Sequence, residues 1–315
     1  MQSNPADVAG SSTSYVDLSQ IASLMNRRFY RQGILWAVAG IKILGGQSAN
    51  VTVSKLPSTW VMSNSWEKGF RTWQKMNNEA LAENESVRPK FLDFKIYADS
   101  DHHTLGFGAN LLPGNLNAIA NSGEWVASKI HVPNTLASPT DTKEREFVAT
   151  GANYPGVGSS GFNAVSLIEG YAASRGLPDV VDPNVPADAA SADGSTPENW
   201  MAALFNEGTE QTHEVLEDMI TENNIAPYPF ENDGVHVDTM YPGGANQVPG
   251  LEIHDAEIIS PTTIGGITRI KGGSFPCGLL RFDFTNSVEG FQYGIQIDLV
   301  PGDHRGYMCS PMTDM

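Results

Sequence analysis

The chain has 315 residues, of which 40% are hydrophobic and only 17% are charged, and its formal net charge is −17. A chain this acidic does not attract nucleic acid through its overall field, and no apolar run reaches the ~18 residues of a membrane-spanning helix. Its low charge, 31 glycines and 19 prolines favour a turn-rich β protein over a helical enzyme.

The first part of the chain is predicted to be an arm followed by strands. Met1 to Tyr15 is small and polar, which indicates a flexible segment, and Met1 to Leu24 contains no lysine or arginine. Ile34 to Leu44 predicts a strand that is apolar on both faces, so we expect it at the centre of a sheet and covered on both sides. The alternation in Val51 to Leu56 predicts the next strand.

One amphipathic helix follows these strands. Trp66, Phe70 and Trp73 recur at intervals of four and three, and Asn64 is placed to cap the first turn. The spacing predicts that the aromatic face packs against a sheet.

The remaining elements are mostly short strands separated by long irregular segments. Gly176 to Gly194 should be irregular because its prolines break both helices and ladders, while short helices are expected at Ala164 to Arg175, after Thr196 and at His213 to Thr221. Period-two patterns and apolar runs predict strands at Phe91 to Tyr97, Glu124 to Val132, Glu146 to Thr150, Leu251 to Ile259, Ile264 to Ile270, Gly278 to Phe284 and Phe291 to Val300.

Taken together, these patterns predict an all-β fold, a single jelly roll: an eight-stranded antiparallel two-sheet sandwich with long loop insertions and a few short helices. Residues 1–30 form the predicted N-terminal arm. Residues 31–315 form the predicted jelly-roll domain, with insertions at about 57–88, 98–123 and 151–250.

A small basic and aromatic cluster is the main candidate for a binding site. Arg27, Arg28 and Arg31 flank Phe29 and Tyr30, and such clusters can neutralise phosphates and stack on bases. Equally, the arginines could pair with acidic side chains at a subunit contact. The sequence leaves both interpretations open.

The best metal candidate is the acidic loop around Asp99 and Asp101, which could offer oxygen ligands to a structural calcium ion at a subunit contact. The ligand pattern is incomplete, and a solvated turn whose adjacent histidines, His102 and His103, point apart is the favoured interpretation. Cys277 and Cys309 could pair, but free thiols are the expectation. No cofactor is expected.

No sequence motif indicates catalysis. Gly156 to Gly161 matches the spacing of a dinucleotide-binding loop, but Tyr154 and Pro155 stand where a buried strand is required. The pairs His236 with Asp238 and His254 with Asp255 are expected to be polar surface residues. The chain is therefore interpreted as a protein without enzymatic activity.

Several segments, taken in their order along the chain, resemble the capsid proteins of uncultured, often marine, circular Rep-encoding single-stranded DNA viruses. None is diagnostic alone. They are Tyr15–Ser19, Asn26–Gly33, Ser63–Met76, Val181–Pro186, Tyr241–Gly244, Phe275–Leu280, Leu299–Asp303 and Gly306–Tyr307.

The resemblance implies a structural protein that self-assembles into a small icosahedral shell around circular single-stranded DNA. It implies a virion protein without membrane partner, assembled inside the host cell, with the nucleus as one candidate compartment. Such capsids usually begin with an arm rich in Arg and Lys. Either that arm is not part of this sequence, or contact with the genome is weaker and uses Arg27, Arg28 and Arg31. The alternative function is a lectin-like, carbohydrate-binding jelly roll; a secreted β-sandwich hydrolase ranks below it.

Overall fold

The computed structural model describes residues 1–83, 93–114, 119–135, 138–175, 250–262 and 266–315. The segment 176–249, which holds the predicted irregular stretch and the two helices predicted after it, lies outside the described residues. No helix in the described ranges is long and apolar enough to cross a membrane.

Strands dominate the described chain. Within the described ranges, the α-helices are α1 Leu18–Asn26, α2 Trp60–Glu83, α3 Ser100–Leu105 and α4 Leu167–Arg175. The strands are β1 Ser12–Asp17, β2 Ile34–Leu44, β3 Ala49–Lys55, β4 Lys129–Thr135, β5 Ser138–Val148, β6 Asn163–Ser166, β7 Glu252–Ile259, β8 Ile267–Phe275, β9 Leu279–Thr285, β10 Gly294–Leu299, β11 Pro301–Gly302, β12 Gly306–Tyr307 and β13 Cys309–Pro311.

The chain divides into two units. The first comprises Met1–Ser58, Asp93–Ala127 and Leu251–Met315, and the second comprises Thr59–Leu92 and Ser128–Gly250. We expected one domain with three insertions. The second unit instead gathers residues from the first and last of those insertions together with the intervening strands.

The first unit contains two antiparallel sheets around one hydrophobic core. One sheet has the order β1-β9-β3-β7, and in the other β2 pairs with β8 on one side and with β10 and β13 on the other. Alternate side chains of each strand point inward, which is why Val53, Phe282 and Ile43 are fully buried. The prediction of an all-β, antiparallel fold is confirmed, whereas the jelly-roll connection of eight strands stays a prediction.

The longest predicted strand, β2, has the predicted limits and the predicted central place in its sheet. It is covered on one face only: Trp36 and Ile43 are buried, but Leu44 at its end is 40% exposed. The prediction that both faces of β2 are covered is therefore wrong. The predicted alternation holds at the start of β10, since Tyr293, just before the strand, and Ile295 are buried and Gln296 is exposed.

The N-terminal residues predicted to be a flexible arm belong to the sandwich. Ser3 donates its main-chain N–H to Tyr293 O at 2.8 Å and accepts from Tyr293 N through its hydroxyl at 2.9 Å. Asn4 donates its side-chain amide to Thr13 O at 2.7 Å, along the outer edge of β1. Small polar side chains satisfy main-chain groups at strand edges, so a stretch without large apolar residues can still be ordered.

Side chains of β7 bond to the main chain of one residue, Lys271, at the free edge of β8. Asp255 accepts from the main-chain N–H of Lys271 at 3.2 Å, and His254 Nε2 lies 3.0 Å from the carbonyl oxygen of the same residue. This pair was predicted to be surface polar residues. Both residues are half-buried at the surface, and the pair also links the edges of the two sheets by occupying the main-chain groups of Lys271.

The corner between β8 and β9 depends on two residues with positive φ. Cys277 has φ 54° and Gly278 has φ 67°. A Cβ on Gly278 would lie 2.8 Å from Trp36 Cδ1, so glycine lets the main chain approach this indole. Cys277 is buried, Cys309 is half-buried, and both are free thiols, as expected.

Residues 93–99 are buried without forming the predicted strand. Ile96 donates its N–H to Gln32 Oε1 at 2.7 Å, and its carbonyl accepts from Gln32 Nε2 at 3.0 Å. The Gln32 amide thus satisfies groups that a neighbouring strand would otherwise satisfy. The predicted strand at Glu124 to Val132 is likewise shifted, since β4 begins at Lys129.

The second unit combines helices α2 and α4 with a three-stranded sheet, β4-β5-β6. β4 and β5 are antiparallel, and β5 and β6 are parallel. Helix α2 begins at Trp60, four residues before the predicted cap, and buries Trp66 and Trp73 as its spacing predicts. Lys68 Nζ donates to Ser174 Oγ of α4 at 2.9 Å.

Candidate nucleic-acid interface

The predicted arginine cluster lies in the turn that ends α1. Asp17 caps the start of this helix, accepting from the main-chain N–H groups of Ser19 at 2.9 Å and Gln20 at 3.2 Å. The helix ends at Asn26, and Arg27 adopts φ 50°, which turns the chain outward. The structure places Arg27, Arg28 and Arg31 together on the surface, all exposed.

Tyr30 anchors this turn in the core. It is 1% exposed, and its ring packs 5.8 Å from Trp36 and 5.7 Å from Tyr307, measured between centroids. Its hydroxyl donates to Arg305 O at 3.1 Å, and Ser23 Oγ accepts from its main-chain N–H at 3.0 Å. The turn is therefore fixed both by the packing of the Tyr30 ring and by the hydrogen bond of the Tyr30 main chain.

Two further aromatic and basic side chains meet this turn from distant parts of the chain. The rings of Phe29 and Trp125 have centroids 6.0 Å apart, and Phe29 is 37% exposed. Lys95 Nζ lies 4.2 Å from the centre of the Trp125 ring and 5.3 Å from that of Phe29. Such cation–π contacts hold the ammonium against the rings.

Arg305 completes the group by donating from its guanidinium to the carbonyl oxygen of Phe29. We call this group the basic-aromatic surface, and its members are Arg27, Arg28, Phe29, Arg31, Lys95, Trp125 and Arg305. It holds five of the 19 basic residues of the chain. The sequence analysis missed Lys95, Trp125 and Arg305, because no local pattern connects residues so far apart in sequence.

Two buried carboxylates lie directly beneath this surface. Asp17 Oδ2 accepts from Trp125 Nε1 at 2.9 Å and from Gln32 Nε2 at 3.1 Å. Asp93 lies 3.8 Å from Lys95 Nζ. Burial raises the pKa of Asp93 to about 6, an effect that Lys95 opposes and Asp17 reinforces. Burial also raises the pKa of Asp17, against the hydrogen bonds that it accepts.

The predicted metal candidates are part of an ion-pair network. Asp99 caps α3 and accepts from Arg281 Nη1 at 2.8 Å, and Asp101 accepts from the same nitrogen at 2.9 Å. Asp283 accepts from Arg281 Nε at 2.8 Å. Both candidate carboxylates therefore share one guanidinium, which also pairs with Asp283. Calcium binding here stays a prediction.

The neighbouring histidines are not solvated, contrary to the favoured interpretation. His102 and His103 are each 1% exposed. His102 Nδ1 accepts from Ala98 N at 3.1 Å, which leaves Nε2 to donate to Asn110 Oδ1 at 2.8 Å. Burial lowers the pKa of His102 to about 4, so it is neutral at pH 7. Within the described ranges, no three His, Cys, Asp or Glu residues form a potential metal-binding group.

Fold and surface together define a mostly antiparallel β protein that carries a local basic patch, among the residues that the structure describes, on an acidic chain. No family model, no curated protein and no solved structure matches this sequence. Its function is therefore argued from the contacts described above and from the resemblance of its ordered motifs.

Proposed function

We propose that this chain is a viral capsid protein that self-assembles into a small icosahedral shell around circular single-stranded DNA. Its place would be the virion, and its partners would be identical copies of itself and the genome. The proposal needs no catalytic residue or cofactor.

The observation that carries the proposal is the convergence of the resembling motifs. Segments that are far apart in sequence pack against one another in the first unit. Val16 and Asp17 pair with Leu280 and Leu279 between β1 and β9, so Tyr15–Ser19 and Phe275–Leu280 are neighbours. The motifs thus belong to one structural unit, which favours a shared architectural origin over chance similarity.

The other motifs of the first unit meet at the basic-aromatic surface. Asn26 Nδ2 donates to the hydroxyl of Tyr307 at 2.8 Å, and Tyr30 packs against the same ring. Asn26–Gly33 is thereby joined to Gly306–Tyr307. The motif Ser63–Met76 lies in the second unit, and Val181–Pro186 and Tyr241–Gly244 lie outside the described residues.

The covered strand edges also suit a shell subunit. The edge of β10 is occupied by Met1 and Ser3, the edge of β1 by Asn4, and the edge of β8 by side chains of β7. Covered edges oppose uncontrolled strand addition, so copies would meet through sheet faces and loops. Ile253 and Ile258 of β7 are 66% and 73% exposed, and such side chains could be buried between copies.

Particle size tests the proposal directly. The purified full-length chain would be concentrated over a range of salt and pH and examined by light scattering and negative-stain microscopy. Closed shells tens of nanometres across are expected. A compact monomer under every condition contradicts the proposal, and a monomer that binds immobilised glycans would favour the lectin-like alternative.

A pair of variants tests whether β7 contributes to assembly. Ile258→Asp adds a charge to an exposed apolar position of β7, and Val157→Asp adds the same charge at a position in the second unit that is 67% exposed. We expect Ile258→Asp to reduce particle yield more than Val157→Asp. Equal effects would show that added negative charge alone disfavours assembly and would remove β7 from the contact.

A further inference from the structure

The basic-aromatic surface combines exposed arginines with the exposed ring of Phe29 and the half-buried ring of Trp125, on a chain that is otherwise acidic, while its Lys95 is 8% exposed. Arg27, Arg28 and Arg31 are exposed within five residues, and Arg305 reaches the same turn. The nearby acidic residues are the exposed Glu124 and Asp303 and the buried carboxylates of Asp17 and Asp93, and Asp93 lies beside Lys95. The four exposed arginines outnumber the two exposed acids. The patch therefore stays attractive to phosphates although the overall field is repulsive.

The rings of the surface are fixed before any ligand binds. Trp125 is held by its hydrogen bond to Asp17 and by the Lys95 ammonium against its face. Phe29 is held by its main chain through Arg305 and by its contact with Trp125. Rings that are already ordered lose little conformational freedom when a base stacks on them.

We propose that the basic-aromatic surface binds single-stranded nucleic acid, with Arg27, Arg28 and Arg31 at the phosphates and the exposed ring of Phe29 stacking on an unpaired base. The inference rests on the proposed function only in taking the packaged DNA as the natural ligand. Stacking requires a base that is free of its neighbours, which a single strand offers and an intact duplex does not. The surface presents a turn and a ring at the end of α1, and the first five residues of that helix, Leu18 to Ala22, are buried, so α1 is not placed to enter a major groove.

Fluorescence anisotropy with a short labelled oligothymidine tests the charge contribution. Arg28→Gln is compared with Arg269→Gln, which removes the same charge at an exposed position of β8 away from the surface. We expect Arg28→Gln to weaken binding severalfold and to reduce the slope of log affinity against log salt by about 0.7, the value for one phosphate contact on a single strand. Equal losses in the two variants would overturn the proposal.

Phe29 variants test the stacking contribution. Phe29→Ala should weaken oligothymidine binding by about fivefold to a hundredfold, while Phe29→Tyr keeps a ring and should restore binding. Affinity for a duplex of the same length should change little in both. If Phe29→Ala lowers single-strand and duplex affinity equally, or changes neither, stacking at Phe29 is wrong. Thermal melts of each variant confirm folding, since both substituted positions are exposed.

The result of the oligothymidine-binding test can be distinguished from the result of the assembly test. Shells that form while the wild-type chain fails to bind oligothymidine would contradict this inference and leave the capsid proposal standing. Oligothymidine binding by a chain that never assembles would contradict the capsid proposal and leave this inference standing.

Discussion

The side chain of Gln32 pairs with the main chain of Ile96 in both directions, accepting from its N–H at 2.7 Å and donating to its carbonyl at 3.0 Å. Gln32 Nε2 also donates to the buried carboxylate of Asp17 at 3.1 Å. One fully buried amide thus substitutes for a strand partner and supports the carboxylate beneath the basic-aromatic surface.

Gln32→Ala should destabilise the protein by about 3 kcal/mol, because it leaves the buried N–H and carbonyl of Ile96 without their partner. Denaturant unfolding of the wild type and of each variant measures the change in the free energy of unfolding. The matched control is Gln47→Ala, at an exposed position, which should stay within about 0.5 kcal/mol of the wild type. If Gln32→Ala lowers the free energy of unfolding as little as the control does, the Gln32 amide does not stabilise the main chain of Ile96.

Arg281→Met should cost about 3 kcal/mol or more, because Asp99 is 8% exposed and would lose its cationic partner. The double variant Arg281→Met with Asp99→Asn should recover part of that loss, since the uncompensated charge is removed. Unfolding free energies of the single and double variants form the test. A double variant less stable than the sum of both single losses would contradict an ion pair at this site.

Chelation separates the ion-pair interpretation from the predicted calcium site at the same carboxylates. With Arg281 bridging Asp99 and Asp101, dialysis against a chelator should leave the melting temperature unchanged. Arg281→Met provides the comparison, because it frees both carboxylates for a cation. A fall in the wild-type melting temperature that added calcium reverses would restore the calcium prediction.

Asp93→Asn should change the pH dependence of stability. The folded pKa of Asp93, about 6, lies above the ordinary 3.8, so the folded state binds more protons between these values. Stability from this group is therefore greatest below pH 4 and is lost as the pH rises towards 6.

The unfolding free energy of Asp93→Asn, minus that of the wild type, should rise from pH 4 to pH 7 by at most about 3 kcal/mol. Carboxylates that do not interact with Asp93 cancel in this difference, whereas Asp17, which reinforces the shift of the Asp93 pKa, is coupled to it. A difference that is constant over the range would show that Asp93 titrates alike in the folded and unfolded chain.

Added salt should promote assembly, because each subunit carries a formal charge of −17 and the copies repel one another. Light scattering at fixed protein concentration, with monovalent salt raised in steps, measures this effect. A neutral osmolyte at the same osmolality is the control. If salt only dissociates particles, attractive ion pairs dominate the contacts and the expectation is wrong.

The sequence predicted strands well where the side-chain pattern is local. β2 has the predicted limits, and Tyr293, just before β10, and Ile295 within it are buried as predicted. Alternation along one strand reflects the two environments that its own faces meet. That Met1–Ser3 is ordered could not be predicted, because this depends on main-chain hydrogen bonds to Tyr293 and Ile295, which lie near the other end of the sequence.

The candidate site shows the same limit. The arginines at 27, 28 and 31 are adjacent in sequence, so their common surface was predictable. Lys95 and Trp125 join them only through tertiary contacts, and Lys95 lies in a segment whose apolar pattern indicated a strand. The hydrogen bonds from Arg281 to Asp99 and Asp101 likewise depend on the pairing of β1 with β9, and the spacing of residues in the sequence does not reveal that pairing.

The corner at Gly278 limits how this fold can diverge. Any side chain there would lie within 3 Å of Trp36 atoms, and the main chain holds φ at 67°. A homologous chain with this fold could differ at most surface residues, but it would have to keep glycine at position 278 or replace Trp36 with a smaller residue. A substitution at position 278 thus depends on the residue at position 36, which is 242 residues away in sequence.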